Sequence, residues 1–273
     1  MNIIFSTIFI VGILSRAPAQ ENSSIAIIPL FHDRLQPRGG DERIQLQSQR
    51  VIIFVYRNAA AVYLDAHFLN TESDSLTHDI ALPSTGHMSI HSNIVSNGIF
   101  GAKLWVSNEH LELSISEGNR VWCSIAPSFA SHEEKTVHAL FWVQTSLADI
   151  GSAMGEDSAL IPDGRRGFLV DMQHASAWKD IIQSLDVTIV LRESITQKNS
   201  RVSVEPKNYF TQHSAYFWSL ENVEPSFSDD ISFLYSPTTT MTSHWNTLAK
   251  LSEYTVHTAY DELLNYVQKL DEK

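Results

Sequence analysis

Cysteine is nearly missing from this chain: Cys123 is the single one among 273 residues. A lone cysteine closes no intramolecular disulfide. The fold must then rest on a hydrophobic core, which a chain of this length can build. A C-x-x-C pair for zinc or thiol exchange is excluded with it. The chain also lacks a P-loop, a G-x-G-x-x-G turn and a G-x-S-x-G elbow. Those are the local devices that grip phosphate or raise a nucleophilic serine. Positive charge is scarce, with 19 Lys and Arg against 31 Asp and Glu and a net charge of -12. Such a surface repels phosphate backbones and anionic headgroups, so the charge argues against a nucleic-acid partner.

Long hydrophobic runs are few as well. Ile3 to Leu14 is almost unbroken, and Arg16 and Ala17-Pro18-Ala19 follow it. About twelve residues are too short to span a bilayer, which takes roughly 20. A short apolar stretch followed by an A-x-A spacing reads as a secretory signal over residues 1–19, cut after Ala19. The expectation is an exported protein, periplasmic or extracellular, with no membrane span after cleavage. Loss of Arg16 would take the net charge from -12 to -13. Cys123 is too far from the cut to carry a lipid there. It lies in Val121-Trp122-Cys123-Ser124-Ile125, where alternation makes it a small buried hydrophobe rather than a reactive thiol. Asn22-Ser23-Ser24 matches a glycosylation sequon next to the new terminus.

What the chain does have is a period of two. Arg43 to Gln47 alternates cleanly, and Val51 to Tyr56 is an apolar, β-branched run suited to a strand covered on both faces. Arg57-Asn58 fits a turn. Then Val62, Leu64, Ala66 and Phe68 share one face, and Tyr63, Asp65 and His67 the other. A polar loop at 70–75 precedes a strand at Ile80 to Leu82. Ile99 to Val106 and Leu111 to Ile115 flank Ser107-Asn108-Glu109 as a hairpin, and Glu117-Gly118-Asn119 turns into Val121 to Ile125. Val137, Ala139, Phe141 and Val143 share one face of a long strand and His138, Leu140 and Trp142 the other, so both sides are expected to be covered. Composition shifts at 151–157 and at Pro162-Asp163-Gly164, the best candidates for a boundary. Beyond it come short strands at 168–170, 187–191, 215–220 and 231–235. Trp178, Ile181, Ile182 and Leu185 fall at helical spacing, which predicts a turn or two of helix within 175–185.

From Ser243 the period becomes helical. Val256, Tyr260, Leu263, Leu264 and Val267 form one stripe, and Ser243 can cap the start. The stripe suits packing on a sheet, and a docking or oligomerising helix is the alternative. The expected fold is mainly β, a β-sandwich of one large or two packed lobes (20–150 and 158–240) with a C-terminal helical segment at 243–273.

Several motifs look like chemistry and have simpler readings. Leu82-Pro83-Ser84-Thr85-Gly86 matches a sortase signal but lies mid-chain, where Pro and Gly make a turn. His87 and His91 would share a helix face, but in a strand they stand some 13 Å apart, too far for one metal. His132-Glu133-Glu134 and His138 miss the zinc-protease spacing. Asp229, Asp230, Glu221 and Glu224 lack the EF-hand pattern and read as solvated acids. Asp65 and His67 share a face with no local nucleophile to join them. The six tryptophans, at 105, 122, 142, 178, 218 and 245, serve the core or stack on sugars; the parity of Trp105, Trp122 and Trp142 points some of them away from the main core. No catalytic, cofactor-binding or metal-ligating residue is assigned.

Three stretches carry a family likeness: Ile44-x-Leu46-x-Ser48-x-x-Val51-x-Ile53 with Val62 to Asn70 and Ala81-Leu82-Pro83; Trp178-x-x-x-Ile182-x-x-x-x-Val187-x-Ile189; and Trp218-Ser219-Leu220-Glu221-Asn222-x-Glu224-Pro225 with Asp230-Ile231. Together, over roughly residues 40–240, they resemble exported bacterial β-sandwich domains of unknown function. The resemblance implies an envelope location, an all-β fold and no catalytic residues. The function expected is a non-enzymatic envelope or secreted module that binds protein or glycan. The alternatives are a hydrolase whose site assembles in space, and a structural oligomerising scaffold.

Overall fold

The computed structural model describes residues 24–25, 28–30, 41–56, 59–84, 88–89, 94–95, 99–106, 114–117, 121–144, 146–147, 166–170, 172, 178–192, 202–235 and 253–272. The main strands are β1 (Asp41–Val55), β2 (Ala59–Asn70), β3 (Ile99–Val106), β4 (Glu134–Gln144), β5 (Arg166–Val170), β6 (Trp178–Lys179), β7 (Ile182–Leu191), β8 (Val202–Glu205), β9 (Phe210–Gln212), β10 (Ala215–Val223) and β11 (Ile231–Tyr235). One helix, α1 (Glu253–Asp271), follows among the described residues. The protein is mainly β with a C-terminal helix, as the period-two patterning requires.

A ten-stranded sheet runs β9-β10-β7-β1-β2-β4-β3 and continues through Ile94–Val95 to Met88–Ser89, with β6 beside β1. Its pairings are antiparallel except at β1, which lies parallel to both β6 and β7. A five-stranded sheet joins β5, β11 and β8 to Ser24–Ile25 and Ser146–Leu147. A four-stranded sheet contains Ser114–Glu117, Val121–Ile125, Asp79–Ser84 and Ile28–Leu30.

The main core lies on the inner face of the large sheet. Val51, Ile53 and Val55 of β1, Val62, Leu64, Ala66 and Phe68 of β2, and Val187 and Ile189 of β7 pack there with Phe168, Ile231, Phe233 and Tyr235 of the smaller sheet. Every residue from Val51 to Val55 is buried, because α1 covers the other face. Ile52, Phe54, Ala61, Tyr63, Leu140 and Trp142 form a second cluster with Ala259, Tyr260, Leu263 and Val267 of α1. The apolar stripe of α1 is thus used within this chain. Leu264, counted in the stripe, is 38% exposed. Position 243 lies outside the described residues.

Ser114–Glu117 turns back on Val121–Ile125 in the four-stranded sheet, as the Glu117-Gly118-Asn119 turn predicts, and β3 joins β4 in the large one. Residues 107–113, where the hairpin expected between 99–106 and 111–115 would close, lie outside the described residues. One local expectation is overturned. The helical turns expected within 175–185 are strands instead. Asp180, at φ 57°, breaks the chain between β6 and β7, and Ile181 turns out to solvent at 47% exposure while Trp178, Ile182 and Leu185 enter the core. The polar loop after β2 is held by Asn70, fully buried, whose amide donates to the carbonyls of Asp74 and Ala130 and whose oxygen accepts from the Glu72 N–H. The leader expected at 1–19, residues 22–23 of the sequon, the turn expected at 57–58 and the composition breaks at 151–157 and 162–164 lie outside the described residues.

Candidate functional site

The outer face of the large sheet changes character along its strands. At one end it is apolar and roofed by α1. At the other it is polar, and two cross-strand rows define it. In the first, Trp105, His138, Asp65, Arg50, Asp186 and Ser219 face one another across β3, β4, β2, β1, β7 and β10. In the second, Thr136, His67, Ser48, Ser184 and Glu221 do the same from β4 to β10. Opposite residues on adjacent strands lie within side-chain reach, so each row is a continuous strip.

Arg50 anchors the first row. Its Nε and Nη2 donate to Asp65 Oδ2 at 3.0 and 2.6 Å, and its Nη1 donates to Asp271 at the end of α1. Burial works against the cation, but the hydrogen bonds to Asp271 and Asp65 outweigh it and push its pKa further up. Asp65 is 4% exposed, so its charge is tolerable only because Arg50 neutralises it. Tyr63 Oη lies 3.0 Å from His138 Nδ1, and burial, then the Asp65 charge, raises the phenol pKa. The His138 ring stacks on Trp105 with centroids 5.2 Å apart. Burial drives the His138 pKa below its ordinary 6.5, opposed by Asp65 and assisted by His67 and Arg50. His67, exposed, places Nδ1 2.9 Å from Thr136 Oγ1.

The His138 shift has a consequence for stability. The unfolded chain takes up this proton more readily than the folded one, so the neutral ring's contribution is complete above about pH 6.5 and declines as pH falls through the lower folded value. The urea midpoint should therefore drop between about pH 7.5 and 5, and His138→Gln should flatten that drop. Parallel pH profiles for the two proteins would remove the effect from His138.

Beyond the second row the strip ends in an open depression of about 620 Å³ lined by Gln45, Trp178, Asp180, Ile181 and Glu224. Gln45 alternates with the buried Ile44 and Leu46, which puts it on the outer face. Its Nε2 lies 3.4 Å from the Ile181 carbonyl and ties β1 to the chain entering β7.

No protein-family model and no curated protein matches the chain. Solved structures do. A "putative nutrient binding protein" from Legionella pneumophila superposes with a TM-score of 0.57 at 12% identity, over 79% of this chain and 70% of that one. The likeness is one of fold. The M1 zinc metallopeptidase of Deinococcus radiodurans (TM-score 0.37, 8% identity, 74% of this chain, 44% of that one) and the leukotriene A4 hydrolase of Saccharomyces cerevisiae (0.36, 8%, 71% and 29%) align too loosely to carry an argument. This chain spans less than half the length of those two enzymes.

The structure brings Asp65 and His67 to one face, as their parity requires, and adds Arg50, His138 and Asp186 from other strands. The other candidates disperse. His132 sits in a turn at φ 53°, Glu133 accepts from the Ala130 N–H at 2.6 Å, Glu134 accepts from Gln47, and His138 is in the sheet. Asp229 accepts from Ser226, Asp230 accepts from the Met172 N–H, and Glu221 and Glu224 belong to the outer-face strip and its depression. Among the described residues no three His, Cys, Asp or Glu side chains are placed to hold a metal. Trp105 and Trp142 point away from the main core, whereas Trp178 and Trp218 lie in it. His87, His91, Thr85, Gly86, Trp245 and the side chains of Trp122 and Cys123 lie outside what is described. Sequence reasoning missed Arg50 and Asp186. Their signal was a charge at outward parity just before an apolar run, Val51 to Val55 for Arg50 and Val187 to Leu191 for Asp186.

A relay for acyl transfer needs an imidazole between an acid and a hydroxyl. Here Asp65 is engaged by Arg50, and the Thr136–His67 pair stands on an open sheet. What the face can do is hydrogen-bond and stack. It offers hydroxyls, carboxylates, imidazoles, one half-buried indole and a terminal depression.

Proposed function

We propose that this protein is a non-enzymatic binding module and that the polar half of its outer sheet face binds a glycan. The observation that carries the reading is the polar strip itself, which among the described elements only the end of α1 touches, through Asp271. An indole, Trp105, ends the first of two adjacent rows of hydroxyl, carboxylate and imidazole groups that cross the sheet. Sugars present that same alternation of C–H faces and hydroxyl edges, and aromatic rings with polar neighbours recognise it. The strip spans six strands, wide enough at about 4.8 Å per strand for a short oligosaccharide. The name of the Legionella fold relative, which speaks of nutrient binding, is in keeping with a ligand-binding role. Export to the envelope or beyond, on the strength of the leader sequence, would place the site where glycans are met.

Calorimetric titration with short neutral oligosaccharides tests this. Trp105→Ala should weaken binding by at least about tenfold, the scale of a lost aromatic contact, with the circular-dichroism spectrum unchanged. Undiminished binding by the variant would move the site elsewhere.

A further inference from the structure

We propose that the last turn of α1 is a latch: Arg50 Nη1 holds Asp271 while the turn is docked and passes to Asp186 when the turn lifts off the strip. No ligand enters this device, so it is independent of the glycan reading. Three carboxylates surround the one guanidinium. Asp65 on β2 and Asp186 on β7 stand opposite Arg50 on its two neighbouring strands, in register with it. Asp271 reaches it from the end of α1. The three are not used alike. Nε and Nη2 both donate to Asp65 Oδ2, and the Asp65 side chain is 6% exposed. Nη1 donates to Asp271, whose side chain is 54% exposed. Asp186, half-buried, makes no hydrogen bond or ion pair among the described residues. Paired strands lie about 4.8 Å apart, so a change of rotamer brings its carboxylate to the guanidinium one strand away.

The two outer partners are closely matched. A bond between exposed charges is worth roughly one- to fivefold in an equilibrium constant, so Asp271 holds the turn only weakly. Leu270, half-buried against the second cluster, and the attraction of Arg50 to the carbonyl end of the helix favour the docked state. Against them stands a lone carboxylate on β7 that gains a partner when the turn lifts. Asp65 keeps its two bonds throughout, so the buried charge is never stranded. The body of α1 stays in place: Tyr260, Leu263 and Val267 are buried, and Glu262 accepts from Arg192 Nη2 at 2.7 Å. The moving part is one turn, and lifting it frees the centre of the first polar row.

The test is amide hydrogen exchange of the full chain at low salt, with two variants that leave Arg50 in place. Asp186→Asn removes the alternative partner, so the turn should open less often. Protection at the amides of Lys269, Leu270 and Glu272 should rise about threefold. The Glu272 N–H bonds to the Gln268 carbonyl and so reports the turn directly. Amides of Leu263 and Leu264, in the middle of the helix, should keep their protection. Asp271→Asn should lower protection at Lys269 and Leu270 about threefold. A crystal structure of that variant should place Arg50 Nη1 within about 4 Å of an Asp186 oxygen, with Nε and Nη2 still on Asp65. Unchanged protection in Asp186→Asn, or an equal change at Leu263 and Leu264, overturns the latch. So does an Asp271→Asn structure in which Nη1 faces water and Asp186 remains alone.

Discussion

A chain shortened to end before Glu253 loses about 4 kcal/mol or more of stability, binds hydrophobic dyes and self-associates. α1 brings Ala259, Tyr260, Leu263 and Val267 to the sheet, each less than a tenth exposed. Fully burying a single large apolar side chain is worth about 1.5–3 kcal/mol. Truncation forfeits these contacts and uncovers Ile52, Phe54, Leu140 and Trp142 beneath them. Trp142, 2% exposed, stands against Tyr56 and Tyr260 at 5.3 and 6.4 Å between centroids, and Phe54 meets Tyr266 at 5.3 Å. An uncovered face of this kind is an aggregation surface. The urea midpoint and light scattering of the truncated protein measure the two effects. An unaltered midpoint together with a monomeric mass would mean that the helix contributes little to the fold.

Arg50→Met costs about 3 kcal/mol. Removing one partner of a buried ion pair strands the other charge, at roughly 3–5 kcal/mol. The low end applies because Arg50 keeps 30% of its side chain exposed, whereas Asp65 keeps 6%. The size of the loss therefore reflects the stranded Asp65 and not the strength of the bridge. The double variant Arg50→Met with Asp65→Leu tests that distinction. It removes both charges and fills the space, so it should recover most of the loss, as apolar replacements of buried pairs commonly do. Equal destabilisation of the single and double variants in urea would instead assign the cost to lost packing and to the bond with Asp271.

Much of the fold was legible because its signals are local. Val51 to Val55 read as a strand covered on both faces, and α1 is what covers the second one. The parity of Tyr63, Asp65 and His67 against Val62, Leu64 and Ala66 is the parity observed. Where sequence reading failed, two conformations could bury the same side chains. Trp178, Ile182 and Leu185 are all buried at helical spacing, but a left-handed residue at Asp180 achieves that burial with two strands. The candidate site was half legible. Asp65 and His67 come from one strand, whereas Arg50 and Asp186 meet only through the parallel pairing of β1 with β7. No periodicity announces that register.

That pairing also governs how the protein is made. β1 finds β2 at once, through the short connection after Val55. Its other long neighbour lies far down the chain: the bond from Gln45 to Ile181 spans 136 residues. Until β7 has left the ribosome, the apolar strand at the centre of the sheet is an open edge. Contacts this distant slow folding, since the loop must close before they contribute. An unpaired apolar edge meanwhile invites pairing with other chains. The sheet that presents the polar strip is thus completed late, and the interval before β7 arrives is when the chain is most exposed to wrong pairing.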